Sequence, residues 1–269
     1  MSKRRGLMAV LSAAICVIAM TAAAAQAATP APGYTQFTGC PSPAEHPGLE
    51  YCIHSEITSG NFKMGSKNVP ITNPIVLTGG ALSNGDIIAN SQGGLRPAKQ
   101  KVPGGVIGLT GLTWLAELLG SEALTLYAVT EAVGTPNLGS VLKLPIRVHL
   151  INSVLGNSCY VGSPSNPITL NLTTGTTSPP LPNHPITGNE GSFSFNGTTG
   201  IASLTGATFV DNSFSAPAAS GCTLTLFGFI PIDLDGLVDL QAGLPAKAGT
   251  NETVQNTNNE LVNQSIAYP

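Results

Sequence analysis

The chain has 269 residues, among them 31 glycines and 21 prolines, with only 9% charged residues and a formal net charge of −3. Charge this sparse and slightly acidic disfavours nucleic acid and any site that depends on neutralising phosphate. So much glycine and proline excludes a fold built from long helices.

Residues 1–27 read as an export signal. Lys3, Arg4 and Arg5 give a positive start, residues 7–25 are almost entirely apolar, and Ala25-Gln26-Ala27 is a small-x-small cleavage site. The expected mature chain is 28–269, a single β-rich domain without a transmembrane span, secreted or extracellular and either released or retained at the cell envelope. It would carry 8 basic against 14 acidic side chains. Arg4-Arg5 suits the general and the twin-arginine export routes alike.

Four cysteines follow: Cys40, Cys52, Cys159 and Cys222. An even number in an exported chain predicts two disulfides. Three pairings satisfy that count, the simplest being Cys40 with Cys52 and Cys159 with Cys222. There is no CxxC pair and the histidines are scattered, so neither a metal nor a cofactor is expected.

Residues 28–38 read as a loose leader and 39–52 as a stapled loop feeding a strand, with Tyr51, Ile53 and Ile57 on one face. Phe62 and Met64 alternate with polar neighbours. The strand PITNPIVL carries prolines, which favour an edge or a strand start. Residues 104–120, GGVIGLTGLTWLAELLG, are different: apolar, with Glu117 the single acid. Leu112, Leu115, Leu118 and Leu119 have the spacing of one helix face. A short helix against a sheet is expected, too short to span a bilayer. Residues 123–129 read as strand. In KLPIRVHLIN, 143–152, Leu144, Ile146, Val148 and Leu150 point one way, and Lys143, Arg147 and His149 point the other. His149 is therefore expected on a solvated face.

Ile168, Leu170 and Leu172 alternate with Thr169, Asn171 and Thr173. Phe193 and Phe195 share a face, as do Cys222, Leu224 and Leu226. Short strands separated by Gly/Pro turns predict a mainly β fold. The expectation is a β-sandwich or partly open barrel, with one or two short helices in apolar insertions. Residues 227–244 form a second apolar region. The Asn/Gln-rich segment 250–269 reads either as a last amphipathic strand or as a mobile tail.

The combination KLPIRVHLINSVLGNSCYVGS, PITLNLTTGTTSPP, FVDNSFSAPAASGC and GLVDLQAGLPAKAG resembles a group of exported actinobacterial proteins, from high-GC Gram-positive bacteria. These share a signal peptide, paired cysteines and Gly/Pro/Asn-rich linkages. The resemblance runs from Val102 to the C-terminus and, more loosely, through the Cys40 to Cys52 unit. It implies export and brings no catalytic residues with it.

The sequence contains no GxSxG, P-loop, dinucleotide-binding glycine pattern or HExxH. His46, His54, His149 and His184 stand in unrelated contexts. The acids Asp211, Asp233, Asp235 and Asp239 lack the ligand spacing of a calcium loop. No catalytic residue is assigned, and a non-enzymatic binding or interaction protein is the leading reading. Its most unusual feature is the pair of apolar segments, 106–119 and 227–244. Trp114, Leu115, Leu118, Leu119, Phe227, Phe229 and Leu237 are the candidate surface for a lipid, a cell-wall component or an envelope protein. One alternative is a secreted hydrolase, which needs a histidine, an acid and a hydroxyl in one cleft. Another is a structural surface protein that assembles through exposed sheet edges.

Overall fold

The computed structural model of the protein describes residues 28–269 apart from Ser121, Phe227 and Gly228. The expected signal segment 1–27 lies outside the described residues. Strands β1 (Tyr51–Met64), β2 (Lys67–Ile71), β3 (Ile75–Ala81), β4 (Ile87–Ile88) and β5 (Gly94–Arg96) begin a first sheet. The chain then builds a second sheet from β6 (Gln100–Lys101), β7 (Tyr127–Ala132), β8 (Asn137–Leu138), β9 (Leu142–Ile151), β10 (Tyr160–Val161) and β11 (Ile168–Leu172). It returns to the first sheet as β12 (Ser192–Asn196) and β13 (Ile201–Asp211) and adds β14 (Ala219–Ser220) to the second. A separate ribbon follows, β15 (Thr223–Leu226) with β16 (Ile230–Asp233), and β17 (Glu252–Asn263) completes the first sheet. Helices α1 (Gly105–Thr110) and α2 (Leu115–Leu119) fill the β6–β7 connection, α3 (Asp235–Ala242) follows the ribbon, and α4 (Gln264–Ala267) follows β17.

The result is an open β-sandwich of eight-stranded and seven-stranded sheets. All named strand pairs are antiparallel. Leu144, Ile146, Val148 and Leu150 of β9 are buried together with Ile168, Leu170 and Leu172 of β11. Burying each such side chain contributes about 1.5–3 kcal/mol, which is what fixes the register of β9. Among the described residues no helix is long and apolar enough to cross a membrane.

Both disulfides form the simplest pairing, Cys40–Cys52 and Cys159–Cys222. The first sits in a small core with Phe37, Leu49, Val262, Ala267 and Tyr268. That core corrects the expected loose leader. Phe37 is fully buried, the Ala31 N–H donates to the Ala267 carbonyl at 2.8 Å, and the Tyr34 hydroxyl donates to the Thr199 carbonyl at 2.9 Å. The mobile-tail reading of 250–269 also gives way. Those residues supply β17, which lies between β13 and β1 and joins the two halves of the sheet.

Two bulges shape this region. On β1 the register shifts between Ile57 and Ser59, and on β13 between Thr205 and Ala207, both next to Thr257 of β17. A bulge adds a residue to one strand and sharpens its local twist. The extra residue on β13 is Gly206, whose φ of +68° is left-handed and suits glycine.

Candidate functional site between the sheets

The period of two along β17 points Thr253, Gln255, Thr257, Asn259 and Leu261 inward. Thr253, Gln255 and Thr257 are buried, so a polar row runs down the middle of the sandwich. Its groups bond one another. The Ser55 hydroxyl of β1 donates to Asn259 Oδ1 at 2.6 Å, and Asn259 Nδ2 donates to Thr257 Oγ1 at 2.9 Å. Gln255 Nε2 donates to Thr253 Oγ1 at 3.2 Å, and the Thr253 hydroxyl donates to the Asn61 carbonyl at 3.0 Å. Among the described residues no acceptor takes the Thr257 hydroxyl proton and no donor reaches Gln255 Oε1. Two hydrogen-bonding groups are thus left for something else.

These groups face a cavity of about 180 Å³. Ser55, Gln255, Thr257 and Asn259 form its polar strip, and Ile53, Ile57, Leu77, Leu95, Leu144 and Leu261 are among its apolar walls. Among the described residues no charged side chain lines it. Leu138, Leu142, Leu172, Leu204 and Phe209 line both this cavity and a surface groove of about 340 Å³. Those five side chains stand between the interior and this groove, and Leu77, Ile87 and Leu95 stand between the interior and a second groove of about 330 Å³. A smaller space of about 60 Å³ lies nearer α1 and α3, lined by Phe62, Leu109, Val238 and Leu244 among others.

The sequence-derived surface is placed differently. Leu115 is only 1% exposed and packs in the main core, so it cannot serve as part of a surface. Leu237 is half-buried against the same core. Trp114, Leu119 and Phe229 are exposed, as is Leu118 at 64%. Phe227 lies outside the described residues. The apolar segments do meet, since α1 packs on α3, but none of the six described residues lines the 180 Å³ cavity.

The candidate chemical groups have structural partners. Asp211 is buried and accepts the N–H groups of Asn171 and Ser213 at 2.7 and 2.8 Å. Asp235 accepts from Cys222 N–H at 2.7 Å and Asp239 from Ala219 N–H at 2.7 Å, which ties α3 to β14 and the second disulfide. His149 is not the solvated residue expected from alternation. It stacks on Tyr160 with ring centroids 4.3 Å apart and approaches Glu131 at 3.4 Å, while Arg147 pairs with Glu131 at 2.7 Å. None of the four histidines hydrogen-bonds a serine or threonine hydroxyl among the described residues. Nor does any group of three His, Cys, Asp or Glu side chains there suit a metal ion.

Sequence reasoning missed Ser55, Gln255, Thr257 and Asn259. The one available signal was the run of amide and hydroxyl side chains from Thr253 to Asn259, broken only by Val254. What the chain offers is an uncharged, mostly apolar interior with a strip of neutral hydrogen-bonding groups, in a sandwich that no family model, curated protein or solved structure matches.

Proposed function

We propose that this is an exported, non-enzymatic binding protein whose ligand is an uncharged, largely apolar molecule with a hydrogen-bonding end. The observation that carries this is the 180 Å³ cavity with its Thr257 hydroxyl and Gln255 carbonyl free, beside a groove that shares five of its side chains. An interior that served only packing would be filled by side chains at about crystal density. An apolar cavity of about 150 Å³ accepts benzene, so a ring or a short branched chain fits inside, and the rest of the ligand lies in the groove. A lipid or a cell-wall component with a hydroxyl or carbonyl group answers this description. The signal-like residues 1–27 and the two disulfides support export to an oxidising compartment.

The test is native mass spectrometry of the oxidised mature protein after incubation with an envelope extract from an actinobacterial host. The expected result is a bound mass released by organic solvent. Leu204→Trp, at the shared wall, should abolish it without changing the far-UV circular dichroism. Thr257→Val should weaken binding about tenfold by removing one hydrogen bond. A wild-type protein that takes up nothing, or a Leu204→Trp variant that binds equally well, would overturn the reading.

A further inference from the structure

Strand β12 is an open edge. It has β13 on one side and, among the described residues, no strand on the other. All five of its residues, Ser192-Phe193-Ser194-Phe195-Asn196, are exposed. Edge strands are ordinarily blunted by charge, proline, a bulge or a covering loop. β12 contains no charge and no proline, and its pairing with β13 runs without a break.

The backbone phase of this edge follows from the hairpin that ends it. The Asn196 carbonyl accepts from Gly200 N–H at 2.7 Å, so the backbone groups of Asn196 face β13. Backbone groups alternate sides along a strand. Those of Ser194 and Ser192 therefore also face β13, and the N–H and C=O groups of Phe193 and Phe195 point outward. The side chains follow the pleat. Phe193 stands opposite Leu204 and Phe195 opposite Ala202, so both rings lie on the inner face of the sheet. There they are 71% and 63% exposed.

We infer that β12 is a pairing edge for a second copy of this chain, antiparallel, with the two-fold axis through Ser194. The sequence around Ser194 reads the same in both directions, Phe-Ser-Phe. In this register Phe193 of each copy opposes Phe195 of the other, and each such pair exchanges both N–H···O bonds. Four outward donors and acceptors on each copy are then satisfied. The four rings gather on one face, where cross-strand aromatic pairs are favourable. A two-fold contact is self-complementary and closes on itself, so it ends at the dimer. Burial of the rings withdraws roughly 500 Å² and the strands bring the total to roughly 800 Å², below the 1,200–2,000 Å² of stable complexes. The dimer is accordingly weak and reversible.

The register is directly testable. Across the axis the two Ser194 residues form a non-hydrogen-bonded pair with Cα atoms about 4.5 Å apart, within disulfide range. Ser194→Cys in the otherwise native oxidised chain should cross-link into a covalent dimer at least tenfold faster than Ser192→Cys. Peptide mapping should confirm that Cys40–Cys52 and Cys159–Cys222 remain intact. By sedimentation velocity between about 5 µM and about 1 mM, the wild type should show a rising weight-average coefficient. Phe193→Lys should hold it at the monomer value, since the exposed side chain changes without disturbing the core. Equal cross-linking rates for the two cysteine variants would overturn the pairing. So would a wild type that stays monomeric at the highest concentration, which would leave the edge to a strand from some other chain.

Discussion

Asn251 is the residue whose replacement should be felt most clearly. It is completely buried, although it sits in an Asn-x-Thr tripeptide, so its side chain is structural. Its Nδ2 donates to the carbonyls of Phe214 at 2.9 Å and Lys247 at 3.0 Å, and its Oδ1 accepts from Gly65 N–H at 2.9 Å. One amide thereby joins the β1–β2 turn, the segment after β13 and the loop before β17. Asn251→Leu keeps the volume and deletes these bonds, together with a longer one from Nδ2 to the Ala246 carbonyl at 3.4 Å, which keeps its Ala216 N–H donor. The Lys247 carbonyl still accepts from Thr250, but among the described residues no other donor reaches the Phe214 carbonyl, and Gly65 N–H loses its acceptor. Two newly unsatisfied groups at about 1–3 kcal/mol each give an expected loss of about 4 kcal/mol. In urea unfolding with the disulfides intact, at an m-value near 2.5 kcal/mol/M, the midpoint should fall by about 1.5 M. Far-UV circular dichroism is the suitable probe, because Trp114, the only tryptophan, is itself partly exposed. Asn251→Asp should be worse at pH 7, since an acceptor would then face the carbonyls. It should recover as the pH falls toward 4, because burial raises the folded carboxyl pKa and the protonated acid donates again. A midpoint shift below about 0.3 M for Asn251→Leu would refute the reasoning, by showing that neither group depends on the amide.

Other outcomes follow from single features. Burial, reinforced by the Glu45 carboxylate, pushes the Tyr268 hydroxyl up to about 12, while it donates to the Cys40 carbonyl at 2.8 Å. Its folded pKa lies above the unfolded value near 10. The stability it contributes, up to about 3 kcal/mol, is therefore complete below pH 10 and lost as the pH rises to 12, and Tyr268→Phe should remove that alkaline slope in thermal melts. Replacing Cys159 and Cys222 by alanine opens a sequence separation of 63 residues and should cost about 4 kcal/mol, read as a Tm lower by about 10 °C. The Cys40–Cys52 pair spans only 12 and should cost about 3 kcal/mol by the same measurement. Gly60 has a φ of +137°, and an added Cβ would collide with the Val254 carbonyl. Gly60→Ala should cost at least about 2 kcal/mol in urea unfolding, and a neutral result would mean that β1 slides freely against β17.

Where one face of a strand is apolar and the other polar, the chain can be read residue by residue. KLPIRVHLIN announced β9 and its buried face, because only one register of Leu144, Ile146, Val148 and Leu150 removes them from water. The same rule placed Phe193 and Phe195 on a common face, and the even cysteine count led to two disulfides. The mainly β class followed from turn residues that break helices. What the sequence alone left open was β17, offered as either a last strand or a tail and with no place in a sheet. Its inner residues Thr253, Gln255, Thr257 and Asn259 and its outer residues Asn256, Asn258 and Glu260 are polar alike, so hydrophobic periodicity is missing. Its place beside β1 comes from a twelve-position register with residues some two hundred positions away. The polar strip is tolerable there because Ser55 and Asn61 of β1 take part in its hydrogen bonds. The apolar segments fared the opposite way. Spacing grouped Leu115 with Leu118, yet packing buried one and exposed the other, since a five-residue helix can turn only part of its circumference to the core. Composition and alternation thus determined the class of fold and its local strands. Long-range pairing decided which polar strand became the middle of the large sheet, and with it where the polar strip and its cavity lie.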